Sequence, residues 1–174
     1  MGWRQRGLAR VRVIEPRELI FLQLTWIASL LLFAFFLQAV VLLEPCILCS
    51  LQRLLLVIMM GGLVWRLFFE RMACVLQLLQ SLLLLLGWGL AWHHWQLQLN
   101  PAVSTACLPG LGVLWEYYSL HDIWSLILTG DGGCSQIDWQ FLGLSIPAWL
   151  MVHFSGLGVL LGVEIRMKAK RIRR

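Results

Sequence analysis

The sequence predicts an all-α membrane protein: a four-transmembrane-helix bundle with a long extracytoplasmic loop carrying a short interfacial helix. Three observations lead there. Hydrophobic residues make up 60% of the 174-residue chain, and the mean hydropathy of +0.79 is too high for a soluble domain. Four apolar runs, roughly 19–43, 48–68, 74–95 and 144–163, each approach the about 20 residues that cross a hydrocarbon core. The basic residues, finally, are segregated along the chain.

That segregation sets the orientation. Of 14 Lys and Arg residues, five precede the first run (Arg4, Arg6, Arg10, Arg12, Arg17) and six follow the fourth, from Arg166 to Arg174. Arg66 and Arg71 are assigned to the turn between the second and third runs. The connection 96–143 has no Lys or Arg but carries Glu116, Asp122, Asp131 and Asp138. By the positive-inside rule both termini and the middle turn are cytoplasmic, and the long loop faces the other side. Topology thus accounts for the basic tails, and nucleic-acid binding is not needed to explain them. Residues 1–174 read as a single integral membrane domain without repeats or a low-complexity linker.

The first run is too long for a signal-peptide core and no small-residue cleavage site follows it, so it reads as a retained span. Its polar residues, Gln23, Thr25, Ser29 and Gln38, read as helix–helix hydrogen-bonding groups. The turn at Glu44-Pro45 is very short, and proline suits the start of the second helix. In that helix Gly61-Gly62 permits close packing. The third run contains Gln77, Gln80, Ser81, Gly87 and Gly89. It ends in Trp92-His93-His94-Trp95, as an outer interfacial belt would. In the loop, Tyr117, Leu120, Ile123, Trp124, Ile127 and Leu128 share one arc of a helix over 113–128, which predicts a helix lying on the membrane surface. Thr129-Gly130-Asp131-Gly132-Gly133 is a flexible turn immediately before Cys134.

Five cysteines carry the chemistry. Cys74, at the cytoplasmic start of the third span, reads as a small buried hydrophobe. The other four, Cys46, Cys49, Cys107 and Cys134, lie on the outer side. They allow three disulfide pairings, a four-ligand zinc site or inert structural bridges. Zinc is disfavoured because Cys107 and Cys134 are 27 residues apart and oxidising compartments favour disulfides. Cys46-Ile47-Leu48-Cys49 closes too small a loop to constrain an unfolded chain, so it serves better as a redox couple than as a staple. Arg53 lies one turn beyond Cys49 inside an apolar run, where a charge is rare and usually functional. A membrane-embedded dithiol beside a cation suggests an electron acceptor that dissolves in the membrane. A quinone fits, since it takes two electrons and develops oxyanion charge that Arg stabilises.

With these motifs in hand, the chain resembles the disulfide bond formation protein B family, quinone-linked oxidases of bacterial inner membranes. The likeness rests on Pro45-Cys46-Ile47-Leu48-Cys49 with Arg53, on His94 with Gln96-Leu97-Gln98-Leu99, Pro101 and Cys107, and on Trp139-Gln140-Phe141-Leu142-Gly143-Leu144-Ser145-Ile146-Pro147-Ala148-Trp149. It covers nearly the whole chain. It implies that Cys46 and Cys49 form the quinone-proximal pair. Cys107 and Cys134 form the loop pair that oxidises a periplasmic thioredoxin-like thiol oxidase of the DsbA type. Cys107 corresponds to the cysteine of the mixed disulfide with that partner, Cys134 to the one that then pairs with Cys46, and Cys49 to the thiolate that meets the quinone. Arg53 and His94 correspond to quinone-contacting residues, the quinone being ubiquinone or menaquinone. Gln52 and Gln136 stand where acidic residues occur in the family. A vitamin K epoxide reductase-like protein and a non-enzymatic membrane subunit with structural disulfides are the alternatives. In the former family the membrane-adjacent Cys-x-x-Cys lies near the end of the helical core, whereas here it opens the second span.

The charge pattern sets a test of topology. In reduced, intact spheroplasts a membrane-impermeant maleimide is expected to label Cys107 and Cys134. Cys74 is expected to stay unlabelled until the membrane is permeabilised, and labelling of Cys74 from outside would invert the orientation.

Overall fold

A computed structural model of the chain describes residues 15–43, 45–69, 72–100, 119, 121–122, 125 and 132–172. Four long helices dominate: α1 (Pro16–Val40), α2 (Ile47–Phe68), α3 (Ala73–Leu99) and, after a short turn of helix and a hairpin, α5 (Ile146–Ile172). The turn of helix is α4 (Gly132–Ser135), and the hairpin pairs β1 (Gln140–Phe141) with β2 (Leu144–Ser145). All four long helices are long and apolar enough to cross a membrane. The chain is a multi-pass, four-helix membrane bundle.

The apolar runs set the helices, and local chemistry sets their ends. Pro16 opens α1, and the Glu15 N–H donates to the Glu18 carboxylate at 3.3 Å, which satisfies one of the orphan donors of a helix start. The helix stops at Val40, earlier than the apolar run, and Leu42 takes a left-handed φ of 57°. At the other end of the chain, residues 144–145 are strand rather than the start of the fourth span. Leu142 and Gly143, at φ 53° and 78°, form a two-residue turn with both residues left-handed. That is the backbone twist that suits a tight hairpin. Beyond Val163, α5 continues on its basic residues to Ile172.

Contacts run from α1 to α2, α2 to α3, α3 to α5 and α5 back to α1. The shared seam follows spacings of three, four and seven residues: Ile20, Ile27 and Leu31; Leu56, Met59 and Leu63; Leu84 and Ala91; Phe154, Leu157 and Leu161. This is the left-handed packing pattern of membrane bundles. The outward faces are equally apolar, with Leu32 and Leu85 more than 70% exposed, as helices surrounded by lipid require. Where α3 meets α5, Gly87 lies under the Phe154 ring. Where α1 meets α5, Gly156 lies under Trp26.

Three expectations are corrected. Arg66 is not a solvated flanking charge. It lies in the last turn of α2, 3% exposed, and its guanidinium pairs with the fully buried Glu164 of α5. Lys168 Nζ, at 3.1 Å, and Gln23 Nε2, at 3.5 Å, add to the same carboxylate. The buried carboxylate is well supplied with donors, which offsets part of the cost of burying the pair. Cys74 is exposed on the outer face of α3 rather than buried, because the first turn of α3 precedes its contact with the bundle. In the loop, Ser119 is not helical. The Ser119 N–H donates to Asp122 Oδ2 and the Asp122 N–H to Ser119 Oγ, each at 3.3 Å. Ser119 therefore interrupts any single helix through 113–128. The Ser119 hydroxyl donates to the same carboxylate at 2.6 Å and holds Asp122 below the usual carboxylate range. Most of that expected interfacial helix lies outside the described residues.

The α3–α5 contact gives a matched pair of variants. A Cβ on Gly87 would sit 2.6 Å from Phe154 Cζ, whereas one on Gly89 meets nothing within 4 Å. Gly87→Ala is expected to destabilise the bundle by about 1–3 kcal/mol through overpacking. Gly89→Ala is expected to be neutral or slightly stabilising, since Ala is the better helix former. Thermal unfolding of both in one detergent checks this, and equal melting temperatures would contradict the packing.

Candidate functional site

The short turn after α1 delivers Cys46 in an extended conformation as the N-cap of α2. A cap side chain accepts from a backbone N–H of the first turn, usually through oxygen. Here sulfur does it: Cys46 Sγ accepts from the Cys49 N–H at 3.3 Å. The Cys46 carbonyl accepts from the Ser50 N–H at 3.0 Å and from Ser50 Oγ at 3.1 Å. Both sulfurs of the Cys-x-x-Cys pair therefore lie at the positive end of the α2 dipole. From α3, His94, 2% exposed, brings Nε2 to 3.8 Å from Cys46 Sγ.

The third cysteine arrives from the loop. Cys134, in α4, is completely buried against Ile47, Leu48 and Leu97, and its thiol is in hydrogen-bonding contact with Cys46. The Gln98 side chain of α3 donates to the Gln136 carbonyl at 3.3 Å and holds the following segment down. Contact with Cys134 draws the Cys46 pKa down, but the hydrogen bond to Cys49 and burial together push it further up. The net effect holds Cys46 above the ordinary thiol range. Burial also makes Cys134 slow to alkylate in this conformation, despite its place in the outer loop. Cys107 lies outside the described residues.

Below the cysteines is a cavity of about 320 Å³ between α1, α2, α5 and the hairpin. Cys46 and Cys49 open onto it, and Gln52, Arg53, His94 and His153 are among its polar lining groups. One wall is aromatic: Trp139, Phe141, Trp149 and His153 follow one another at centroid separations of 6.0–6.1 Å. Phe33 of α1 meets Trp139 edge-on at 5.7 Å. The hairpin owes its position to Trp149, whose indole N–H donates to the Phe141 carbonyl at 3.0 Å.

Arg53 lies on the cavity wall with its guanidinium turned to α1. It donates to the Gln38 side chain and, at 3.0 Å, to the Ala34 carbonyl, and it stacks over Phe35 at 5.6 Å. Gln52 is 1% exposed, and neither end of its amide has a partner among the described residues. A buried amide without a partner is costly, so this one is suited to a polar ligand. Sulfurs and imidazole nitrogen of Cys46, Cys49 and His94 lie within 4.8 Å of one another, close enough for a cation in the dithiol state. Once the two sulfurs bond to each other, no thiolate remains to ligate.

The comparisons with known proteins agree with this geometry. A family model described as Disulfide bond formation protein DsbB matches residues 16–163. The chain belongs to the disulfide bond formation protein B family. Among curated relatives carrying that name, the one from Hahella chejuensis is 38% identical over 82% of this chain and 89% of its own length. That from Nitrosococcus oceani is 38% identical over 84% and 89%, and that from Methylococcus capsulatus 33% identical over 83% and 90%. The protein is thus a multi-pass membrane protein of disulfide bond formation.

Of the six candidate residues, the structure brings Cys46, Cys49, Cys134 and His94 together at the outer end of α2 and puts Arg53 on the cavity beneath. Reading the sequence missed two participants. Gln38 was assigned only to generic helix contacts, although a lone polar residue opposite Arg53 in a neighbouring apolar span was the available signal. His153 was not singled out. A histidine in the middle of an apolar span was its signal.

Proposed function

We propose that the protein reoxidises a periplasmic thioredoxin-like thiol oxidase of the DsbA type and passes the electrons to a membrane quinone. In this reading it sits in the bacterial inner membrane with both termini cytoplasmic. The observation that carries the reading is the contact of Cys134 with Cys46 directly above an aromatic cavity lined by Cys49. It supports a relay by thiol–disulfide exchange. The partner's two thiols are oxidised as the Cys107–Cys134 disulfide is reduced. The Cys134 thiolate then attacks Cys46 of the Cys46–Cys49 disulfide, forming a Cys134–Cys46 disulfide and releasing Cys49 as thiolate, and Cys107 attacks Cys134 to re-form Cys107–Cys134 and release Cys46. Cys46 and Cys49 then close again as two electrons and two protons pass to the quinone.

The cavity's residues fit such an acceptor. A quinone is planar, apolar and lipid-soluble, with carbonyl oxygens that only accept hydrogen bonds until reduced. The aromatic wall suits its ring, and the buried Gln52 amide and the Arg53 guanidinium supply donors. When bound, the quinone supplies a two-electron sink in the membrane. Cys49, at the third position of α2, lines the cavity together with Cys46, and His94 is placed to exchange a proton with Cys46.

Cys107→Ser is expected to stop oxidation of the partner while dithiothreitol-driven quinone reduction persists through Cys46 and Cys49. Cys49→Ser is expected to stop both. Partner oxidation at the wild-type rate in Cys107→Ser would mean that no two-pair relay operates.

For Arg53, losing one donor to developing oxyanion charge costs about 10²- to 10³-fold in a buried site. Its existing bonds to Gln38 and Ala34 place the expectation for Arg53→Gln near the low end. Arg53→Lys is expected to recover part of the rate, because the charge remains but the planar fork is lost. Quinone-dependent turnover at matched expression measures this, and identical kinetics in all three forms would reduce Arg53 to an interfacial anchor.

A further inference from the structure

His153 is a histidine eight residues into an apolar helix, far from any aqueous loop in sequence. The Trp26 indole N–H of α1 donates to its Nδ1 at 3.2 Å. A neutral imidazole has one donor and one acceptor nitrogen. With Nδ1 accepting, the proton sits on Nε2. The indole N–H also excludes a proton from Nδ1, since two donors would then face each other. The ring is held on two sides: edge-on to Trp26 with centroids 6.0 Å apart, and tilted at 33° against Trp149 at 6.0 Å. Orientation and tautomer are thus set by the protein itself.

The residue lines the cavity on the α5 side, while Arg53 lines it on the α2 side. Arg53 is the seventh residue of α2 and His153 the eighth of α5. Both helices start at the outer rim, so a rise of about 1.5 Å per residue puts the two at nearly the same depth, roughly 9–11 Å in. A histidine needed only to satisfy Trp26 has no use for a second polar nitrogen in hydrocarbon, where an unpaired donor is costly. His153 also lines a shallower groove with Leu22, Thr25, Trp26, Ser29, Leu30 and Phe33. It therefore stands where the cavity meets the α1–α5 surface.

We infer that His153 is a second hydrogen-bonding pole of the cavity, donating from Nε2 to the quinone carbonyl that lies away from Arg53. The inference rests on the quinone reading above. Donors on two opposite walls at one depth match a ligand with acceptors on two opposite edges, and they fix the ring across the bundle with one edge toward Cys49. Selectivity follows as well, because a ring with a single carbonyl leaves one wall's donor unmatched.

The test uses the full-length protein in detergent, with dithiothreitol as reductant and decyl-ubiquinone as the varied acceptor. Wild type that reduces neither decyl-ubiquinone nor a menaquinone analogue would sink the quinone reading itself, before any variant is considered, and the acceptor it does reduce is the one varied. With wild type active, His153→Leu is expected to raise the KM for decyl-ubiquinone about tenfold, the loss of one well-placed hydrogen bond, with a smaller change in kcat. His153→Gln, whose amide N–H₂ occupies the place of Nε2–H, is expected to return KM to within about twofold of wild type. Quenching of intrinsic tryptophan fluorescence by decyl-ubiquinone should follow the same order, independently of turnover. An unchanged KM in His153→Leu, or a Gln form as impaired as the Leu form, would overturn the inference, because a packing role is not rescued by an amide.

Discussion

Hydrocarbon leaves no backbone polar group without a partner, and this constraint shapes the whole molecule. Within the bilayer the chain can only be helix. Irregular backbone is confined to the two rims, where the first N–H groups of each helix lack intrahelical partners. At the outer rim the Cys46 sulfur takes up one of those orphan donors, the Cys49 N–H. The Cys-x-x-Cys pair is therefore part of the device that starts α2. Its place at the boundary between water and lipid follows from helix geometry, and so does its access to a loop on one side and a cavity on the other.

Both ends of the bundle bury polar groups. At the end away from the cysteines, Arg66, Lys168 and Gln23 converge on the Glu164 carboxylate, while Arg66 Nε and Nη1 have no partner among the described residues. A buried ion pair of that kind is costly to break. Around the cavity, polar groups are only partly engaged: the Gln52 amide lacks a partner, and Arg53 is shared between two acceptors on α1. The Glu164 carboxylate ties α2 to α5, whereas Gln52 and Arg53 border open space within the same four-helix frame.

The spans were legible because uninterrupted apolar runs are a strong signal. The run 19–43 became Pro16–Val40, and 48–68 became Ile47–Phe68. The rim pair was legible because Pro45 marks a helix start and a Cys-x-x-Cys has few uses. Arg66 was misread because counting charges treats a basic residue at a helix end as solvated, and its partner lies 98 residues away. The place of Gln38 beside Arg53 and of His153 on the cavity was not legible, because hydropathy alone does not say which way a single polar side chain faces in an all-apolar helix. Residues 144–145 were assigned to the fourth span because Phe141-Leu142-Gly143-Leu144 is as apolar as the helix it precedes. Only the left-handed pair Leu142-Gly143 reveals the turn.

The clasped hairpin has a mechanical consequence for the loop. Trp149 fixes Phe141 to α5, and only residues 135–139 separate Cys134 from β1. A fully extended tether of that length spans about 20 Å at most. Cys134 is leashed at its C-terminal side and can only swing over a small dome above the rim. A leash that short keeps its local concentration near Cys46 in the millimolar range or above. Exchange between Cys134 and Cys46 therefore needs only a short displacement of α4.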